Sequence, residues 1–208
     1  MSVGERVQEC INKLESKDPV NAFIQLSIAI DGTAKKEYPG KKTSFRCKKF
    51  LKENLPFVMW SLTNGTPSTC KDFKFEFSGK GKPSGYTSFE DIVYSVLRCS
   101  LLHEGEMPEK VTFINENHIG MHDGKMQFPV ALIGSLLFSV IASSSNSNQK
   151  VFENTHFVFG EIKAYVNNMW GSEVKAKEYI RNGFEYNVEK LLESHNKPMQ
   201  PTSKAPAD

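Results

Sequence analysis

The sequence has no apolar run long enough to cross a membrane. Its longest, residues 129–142 (PVALIGSLLFSVIA), falls short of the ~20 residues that a spanning helix needs, so we expect a buried core helix there. Residues 1–16 are amphipathic and charged, unlike a secretion signal. We therefore expect a cytoplasmic globular protein without membrane contact, because 39% hydrophobic residues are enough to build a core.

Cysteine is scarce and scattered along the chain. The four cysteines, Cys10, Cys47, Cys70 and Cys99, show no CxxC spacing. This pattern indicates neither a zinc site nor a redox pair. We expect reduced thiols, most of them packed in the core.

Two other ligand-binding motifs are missing. Residues 79–83 (GKGKP) lack the GxxxxGK[ST] spacing of a phosphate-binding loop and do not follow a hydrophobic strand. His118 and His122, the latter beside Asp123, are four residues apart in an expected hairpin. Residues so spaced lie about 13 Å apart along a strand, too far to share an ion. We expect no metal and no cofactor.

The net charge is only +2, but it is unevenly distributed. Residues 35–52 hold eight basic residues and one acid, a net +7, which leaves −5 for the rest of the chain. We call this segment the basic block. It can attract a polyanion such as RNA, or it can be an ordinary solvated helix face. The candidate nucleic-acid-binding residues are Lys41, Lys42, Arg46 and Lys49.

Apolar residues at helical spacing predict that most of the chain is helical. Pro56 is expected to kink or interrupt the third helix, and Gly105 to end the fourth. A break is expected near residues 182–183 in the last helical region. The predicted helices cover residues 3–14, 19–36, 43–62, 88–105, 129–143 and 172–194.

Shorter segments predict a small β addition. Alternating phenylalanines at 73, 75 and 77 indicate an edge strand within an otherwise Gly- and Pro-rich loop over residues 63–88. Asp123-Gly124 predicts a hairpin turn between residues 119–122 and 126–128. Three further segments are assigned by composition: residues 110–114 as a strand, 143–148 (SSSNSN) as a flexible link and 152–166 as extended structure. The sum is a mainly α (α+β) fold, a helical bundle with a small antiparallel hairpin or meander.

Arg98 and His103 are the only strongly polar side chains before Glu104 in the otherwise apolar segment YSVLRCSLLHEG, residues 94–105. A permanent cation near an imidazole that titrates close to neutral pH is a pair that phosphate chemistry can use. Five residues correspond to about 140° around an α-helix, so the two side chains converge only if the arginine reaches along the axis or the site is shared across an interface. Alternatively, Arg98 pairs with Asp31 and His103 caps the end of its helix.

The R-x4-H pattern resembles the signature of the HEPN domains, an all-helical family of nucleic-acid enzymes. RCSLLHEG looks like the RNxLVHEG form of that signature, and SIAIDGTAKKEYP, residues 27–39, looks like the acidic helix that precedes it. The similarity spans roughly residues 1–145, which leaves residues 150–195 as a C-terminal addition to one domain over 1–195. Cys99 departs from the family, which usually has Asn, Asp or His after the arginine.

The resemblance implies a metal-independent endoribonuclease of the toxin or defence type, working as a homodimer with both motifs lining a cleft between subunits. His103 would transfer protons and Arg98 would stabilise charge on the phosphate, with Asp31 and Glu104 in supporting or ion-pairing roles. The alternative is a catalytically inactive HEPN-like scaffold or binding protein with a cognate protein partner, in which Arg98 is paired to Asp31.

The C-terminal sequence NKPMQPTSKAPAD is similar to the tails of proteins encoded by integron gene cassettes. This resemblance implies a horizontally moved accessory gene. Residues 196–208 are expected to be disordered.

Overall fold

The protein is described by a computed structural model over residues 1–65, 73–77, 85–159 and 161–195. The predicted mainly helical α+β fold is confirmed. Pro56 lies inside a continuous third helix, so it does not interrupt the helix. The helices are α1 (Val3–Glu15), α2 (Pro19–Glu37), α3 (Thr43–Leu62), α4 (Phe89–Asp91), α5 (Val130–Ala142) and α6 (Glu173–His195).

The predicted helix after Ser88 is present, but most of it is not an α-helix. After the single turn of α4 the chain forms two π-helical stretches, Ile92–Arg98 and Ser100–Glu104, joined at Cys99. We refer to residues 92–104 as the π-helix. It ends at Gly105, whose φ of 76° is the left-handed conformation that glycine adopts most easily, as the sequence predicted.

Within the described residues, the strands form three small sheets. The predicted edge strand is confirmed as β1 (Lys74–Glu76), which pairs antiparallel with β2 (Tyr86–Ser88). The predicted Asp-Gly hairpin is confirmed as well, with a parallel third strand added beside its second strand. The remaining strands are β3 (Val111–Ile114), β4 (Gly120–His122), β5 (Lys125–Pro129), β6 (His156–Phe159) and β7 (Ile162–Tyr165).

The core is centred on α5, where ten of thirteen residues are buried. Because α2 and α3 pack against it, the helix is covered on nearly every side, which explains why its sequence is apolar all round. Cys10 and Cys47 are buried in this core, as expected, whereas Cys70 lies outside the described residues. No helix in the described ranges combines the length and apolarity that crossing a membrane requires.

The segment predicted as a flexible link, residues 143–148, is instead anchored to the core by one buried residue, Asn146. It contains a short 3-10 helix, Ser144–Asn146, and Asn146 is fully buried. The Asn146 amide donates to Thr33 Oγ1 at 2.9 Å and to the Val140 carbonyl at 2.8 Å, while its oxygen accepts from Lys36 Nζ at 2.9 Å. These bonds satisfy the buried amide and fix the segment.

The last helix is continuous, so the expected break at residues 182–183 is wrong. Gly183 lies against Phe159 so closely that a Cβ atom there would stand 2.2 Å from the Phe159 Cβ. Glycine is needed at this position for a close approach between α6 and β6, not for a break in the helix. The predicted disordered tail, residues 196–208, lies outside the described residues.

Candidate nucleic-acid interface

Two arginines converge on one carboxylate where α2, α3 and the π-helix meet. Asp31 Oδ1 accepts hydrogen bonds from Arg46 Nε at 2.9 Å and from Arg46 Nη2 at 2.6 Å. Arg98 Nη2 lies 4.0 Å from the other oxygen, Asp31 Oδ2. We call these three residues the arginine cluster. Because two permanent cations share one carboxylate, the cluster keeps an excess positive charge.

Arg98 is held mainly by packing. Only 15% of its side chain is exposed, and its guanidinium carbon lies 4.9 Å from the centre of the Tyr94 ring. Its Nε atom is buried and has no hydrogen-bond partner among the described residues. The guanidinium therefore has donor capacity that the protein does not use.

Two titratable side chains beside the arginine cluster, a thiol and a phenol, are uncharged at neutral pH. Cys47 Sγ donates to Asp31 Oδ1 at 3.5 Å, and burial, reinforced by this carboxylate, raises the pKa of Cys47 to about 12. Burial also raises the pKa of Tyr94, although the nearby Arg98 cation acts in the opposite direction. The charge of this region at neutral pH is thus set by the arginines and Asp31.

Tyr94 connects the cluster to the basic block. Lys48 Nζ lies 5.6 Å from the centre of the same ring and forms an ion pair with Asp91 Oδ1 at 2.6 Å. Neither Tyr94 nor Asp91 was predicted from the sequence as a site residue. The signal for Tyr94 was available, since a residue four positions before Arg98 is its neighbour on a helix, but nothing local links Asp91 to Lys48.

The remaining predicted nucleic-acid-binding lysines lie just before α3 or on it. Lys41 and Lys42 are exposed just before α3, with Lys41 Nζ 5.9 Å from the centre of the Phe45 ring. Lys49 Nζ lies 3.6 Å from Glu53 Oε1 and 4.7 Å from the centre of the Tyr38 ring. Arg46 belongs to both the basic block and the arginine cluster, so the two adjoin there, whereas Lys36 of the block bonds to Ser145 and Asn146.

His103 and Glu104 are exposed at the end of the π-helix, beside a cleft of about 700 Å³. Serine and cysteine side chains of the π-helix form one wall, and the acidic loop that follows forms another. The lining residues are Phe77, Ser95, Val96, Cys99, Ser100, His103, Glu104, Glu106, Met107, Pro108, Glu109 and Lys110.

Arg98 and His103 do not meet within one chain. In a π-helix the hydrogen bonds run from residue i to i+5, so five residues complete slightly more than one turn and the two positions lie closer in angle than an α-helix would place them. The Arg98 guanidinium, however, extends back over Tyr94, away from His103, and no hydrogen bond or ion pair joins the pair. His103 faces the cleft, while Arg98 faces the junction of α2 and α3.

No metal centre is present among the residues that the structure describes, where no group of three His, Cys, Asp or Glu side chains is placed to hold an ion. The histidines considered from the sequence have other partners. His118 Nε2 is 2.9 Å from Gln127 Oε1, and His122 Nε2 is 3.3 Å from Asp123 Oδ2.

Fold and site together define a mainly helical α+β protein whose basic face carries two arginines on a shared carboxylate. A family model described as Rv1289 matches residues 2–196. The chain belongs to the Rv1289 family, since the match covers nearly its whole length. No curated protein and no solved structure matches it.

Proposed function

We propose that this protein is a cytoplasmic, HEPN-like RNA-binding protein that contacts RNA phosphates through the basic block and the arginine cluster. The observation that carries the proposal is that Arg46 and Arg98 share one carboxylate, Asp31. Asp31 is hydrogen-bonded to Arg46, so the Arg98 guanidinium has no carboxylate of its own. The Arg98 side chain is 15% exposed, and its Nη2 atom, 4.0 Å from Asp31 Oδ2, is too far from that oxygen to donate a hydrogen bond to it. A phosphate oxygen is the natural acceptor for such a group, because guanidinium bonds to phosphate are charge-assisted.

The surrounding charges favour a polyanion over a small anion. Residues 35–52 carry a net +7, and the acids that pair with Arg46, Lys48 and Lys49 lie outside this segment, so they offset three charges and leave +4. Positive charge thus extends along α3 beyond the cluster. An extended row of cations attracts an extended row of phosphates and releases their counterions.

Fluorescence anisotropy with labelled single-stranded RNA at low salt tests the proposal. We expect the Arg98→Met variant to bind about tenfold more weakly and to reduce the slope of log Kd against log salt by roughly one, because one phosphate contact is lost. Lys163→Met, which removes an exposed cation on β7, is the matched control and should leave binding unchanged. Equal affinities for the native protein and Arg98→Met would contradict the proposal.

A second candidate is metal-independent endoribonuclease activity, favoured by the exposed position of His103 in the cleft. His103 would take the proton from a ribose 2′-hydroxyl or deliver one to the leaving 5′-oxygen, while Arg98 stabilises the charge on the phosphate. Since the two side chains face different surfaces of one chain, this candidate requires a homodimer in which Arg98 and His103 come from different subunits. The non-catalytic alternative, a scaffold for a protein partner, is supported by the contact between Arg98 and Asp31.

Incubation with RNA in EDTA separates these candidates. Cleavage products ending in 2′,3′-cyclic phosphate that disappear in His103→Ala, while that variant still binds RNA, would support the nuclease. If the native protein binds RNA and cleaves none, the catalytic candidate fails and the binding proposal stands. Analytical ultracentrifugation of the native protein tests the dimer directly, and a monomer at assay concentration would exclude the shared site.

A further inference from the structure

One face of α3 combines an exposed aromatic ring with three lysines. Phe45, Lys48, Lys49 and Lys52 occupy positions i, i+3, i+4 and i+7, so they follow one another along the same side of the helix. The Phe45 side chain is 52% exposed although phenylalanine is normally buried. Packing within the chain therefore leaves much of this ring uncovered.

A groove of about 320 Å³ runs beside the ring. Its walls are Phe45 and the three lysines on one side and Glu90 and Asp91 of α4 on the other. The walls are mostly aliphatic and aromatic, because the lysines cover the groove with their carbon stems. Lys41 Nζ lies 5.9 Å from the centre of the Phe45 ring, which places a further cation next to the aromatic surface.

From this arrangement we infer that Phe45 is a stacking platform for an unpaired nucleobase, with the groove receiving the base and the lysines contacting the flanking phosphates. The inference rests on the proposed RNA binding and deepens it, because it specifies single-stranded RNA. An aromatic ring among cations is the recognition surface that single strands require: the ring stacks a base of any sequence and the cations follow the backbone. A paired base in a duplex is not available for such stacking.

The acidic wall can bind the amino group of a base, while the phosphates of the strand would lie on the lysine side. Glu90 can accept a hydrogen bond from the exocyclic amino group of cytosine or adenine, whereas Asp91 Oδ1 is already paired with Lys48 Nζ at 2.6 Å. The site is also continuous with the arginine cluster. Lys48, which lines the groove, and Arg98 both lie over the Tyr94 ring, so one strand can contact both sites.

The test compares two single strands that have the same phosphates, one with normal bases and one with abasic sites. We expect Phe45→Leu, which keeps an apolar side chain but removes the aromatic ring, to weaken binding of the normal strand by roughly 5- to 100-fold. Its affinity for the abasic strand should be unchanged. Phe152→Leu is the matched control, because Phe152 is 74% exposed and lies outside α3.

Each outcome is informative. If the native protein binds neither strand, the proposed RNA binding fails. If it binds both strands equally and Phe45→Leu has no effect, RNA binding stands and the stacking platform is excluded. Competition by polyglutamate that is as strong as competition by the normal strand would also overturn the inference, since it would show that charge alone is recognised. As a positive readout, Phe45→Trp should gain a tryptophan signal that the normal strand quenches and the abasic strand does not.

Discussion

Removing Arg98 should cost the fold almost nothing, while removing Arg46 should be clearly destabilising. Both arginines approach Asp31, so they look equivalent as ion pairs, but their geometries differ. Arg46 donates two hydrogen bonds to Asp31, at 2.9 and 2.6 Å, whereas Arg98 comes no closer than 4.0 Å. This difference decides whether Arg98 serves the fold or a ligand.

The magnitudes follow from these contacts. Two charge-assisted hydrogen bonds in a partly exposed pair contribute about 2 kcal/mol, so Arg46→Met should lose about that much stability. A 4.0 Å contact without a hydrogen bond contributes about 0.5 kcal/mol or less. Arg98→Met also removes the buried, unpartnered Nε while keeping an unbranched stem on Tyr94, so its net effect should lie near zero.

Urea unfolding of the two variants measures the difference directly, and thermal unfolding gives an independent check. For a chain of this size, about 2 kcal/mol corresponds to a Tm decrease of roughly 4 to 8 °C, so Arg46→Met should be well resolved from Arg98→Met. A double-mutant cycle with Asp31→Asn should give a coupling of about 1 to 2 kcal/mol for Arg46 and below about 0.5 kcal/mol for Arg98.

A loss in Arg98→Met as large as that in Arg46→Met would refute this reasoning. Arg98 would then be a structural residue, and the scaffold alternative would gain. A stable Arg98→Met variant that has lost RNA binding would instead assign Arg98 to the ligand.

Three further outcomes are expected. At pH 8, iodoacetamide should modify the half-buried Cys99 before Cys10 and Cys47, because burial raises the pKa of the Cys10 and Cys47 thiols to about 12 and keeps them protonated. Peptide mapping measures the order of labelling, and equal labelling of the three cysteines would contradict the described packing. Asp18→Ala should cost about 1 kcal/mol at neutral pH by removing the cap of α2. Hydrogen bonds from Asn21 lower the pKa of Asp18, so this cap contributes above the ordinary pKa of an aspartate, and the Tm difference from the native protein should shrink as pH falls below 4. Asn146→Ala should lower the free energy of unfolding, measured in urea, by about 2 to 3 kcal/mol, since it leaves buried hydrogen-bonding partners unsatisfied. A loss below about 0.5 kcal/mol would show instead that residues 143–148 act as a flexible link.

Sequence patterns correctly predicted those elements whose conformation depends mainly on neighbouring residues in the chain. The Asp123-Gly124 turn has φ of 49° and 73°, values that the Asp-Gly pair favours, and the hairpin formed as predicted. The apolar run of α5 likewise determined a buried helix. In both cases short-range geometry and hydrophobicity agree with the tertiary structure.

The π-helix was not predicted, although its sequence carries a signal. Phe89, Val93, Leu97 and Leu101 are all buried and are spaced by four residues throughout, which is wider than the 3.6-residue period of an α-helix. Helix-propensity rules describe α-helices, so the segment with this spacing was predicted to be an α-helix. Because a π-helix has more residues per turn than an α-helix, Arg98 and His103 lie at a smaller angle to each other around its axis.

Long-range contacts account for what else was missed. Asn146 reaches Thr33 across 113 residues of sequence, and no local feature of SSSNSN indicates that bond. The contact between Arg98 and Asp31 was considered from the sequence, but the closer approach of Arg46 to the same carboxylate could not be. Which of two arginines a carboxylate prefers depends on the packing of three helices, not on any one segment.

The first helix depends on the last third of the chain. The Gly4 amide donates to Gln149 Oε1 at 2.9 Å, and Gln8 Oε1 accepts from the Phe152 amide at 2.9 Å and from Thr155 Oγ1 at 2.7 Å. These partners are separated by 144 to 147 residues. On a ribosome that adds 5–20 residues per second, α1 therefore waits roughly 7 to 30 s for them, so its final docking comes long after its own synthesis.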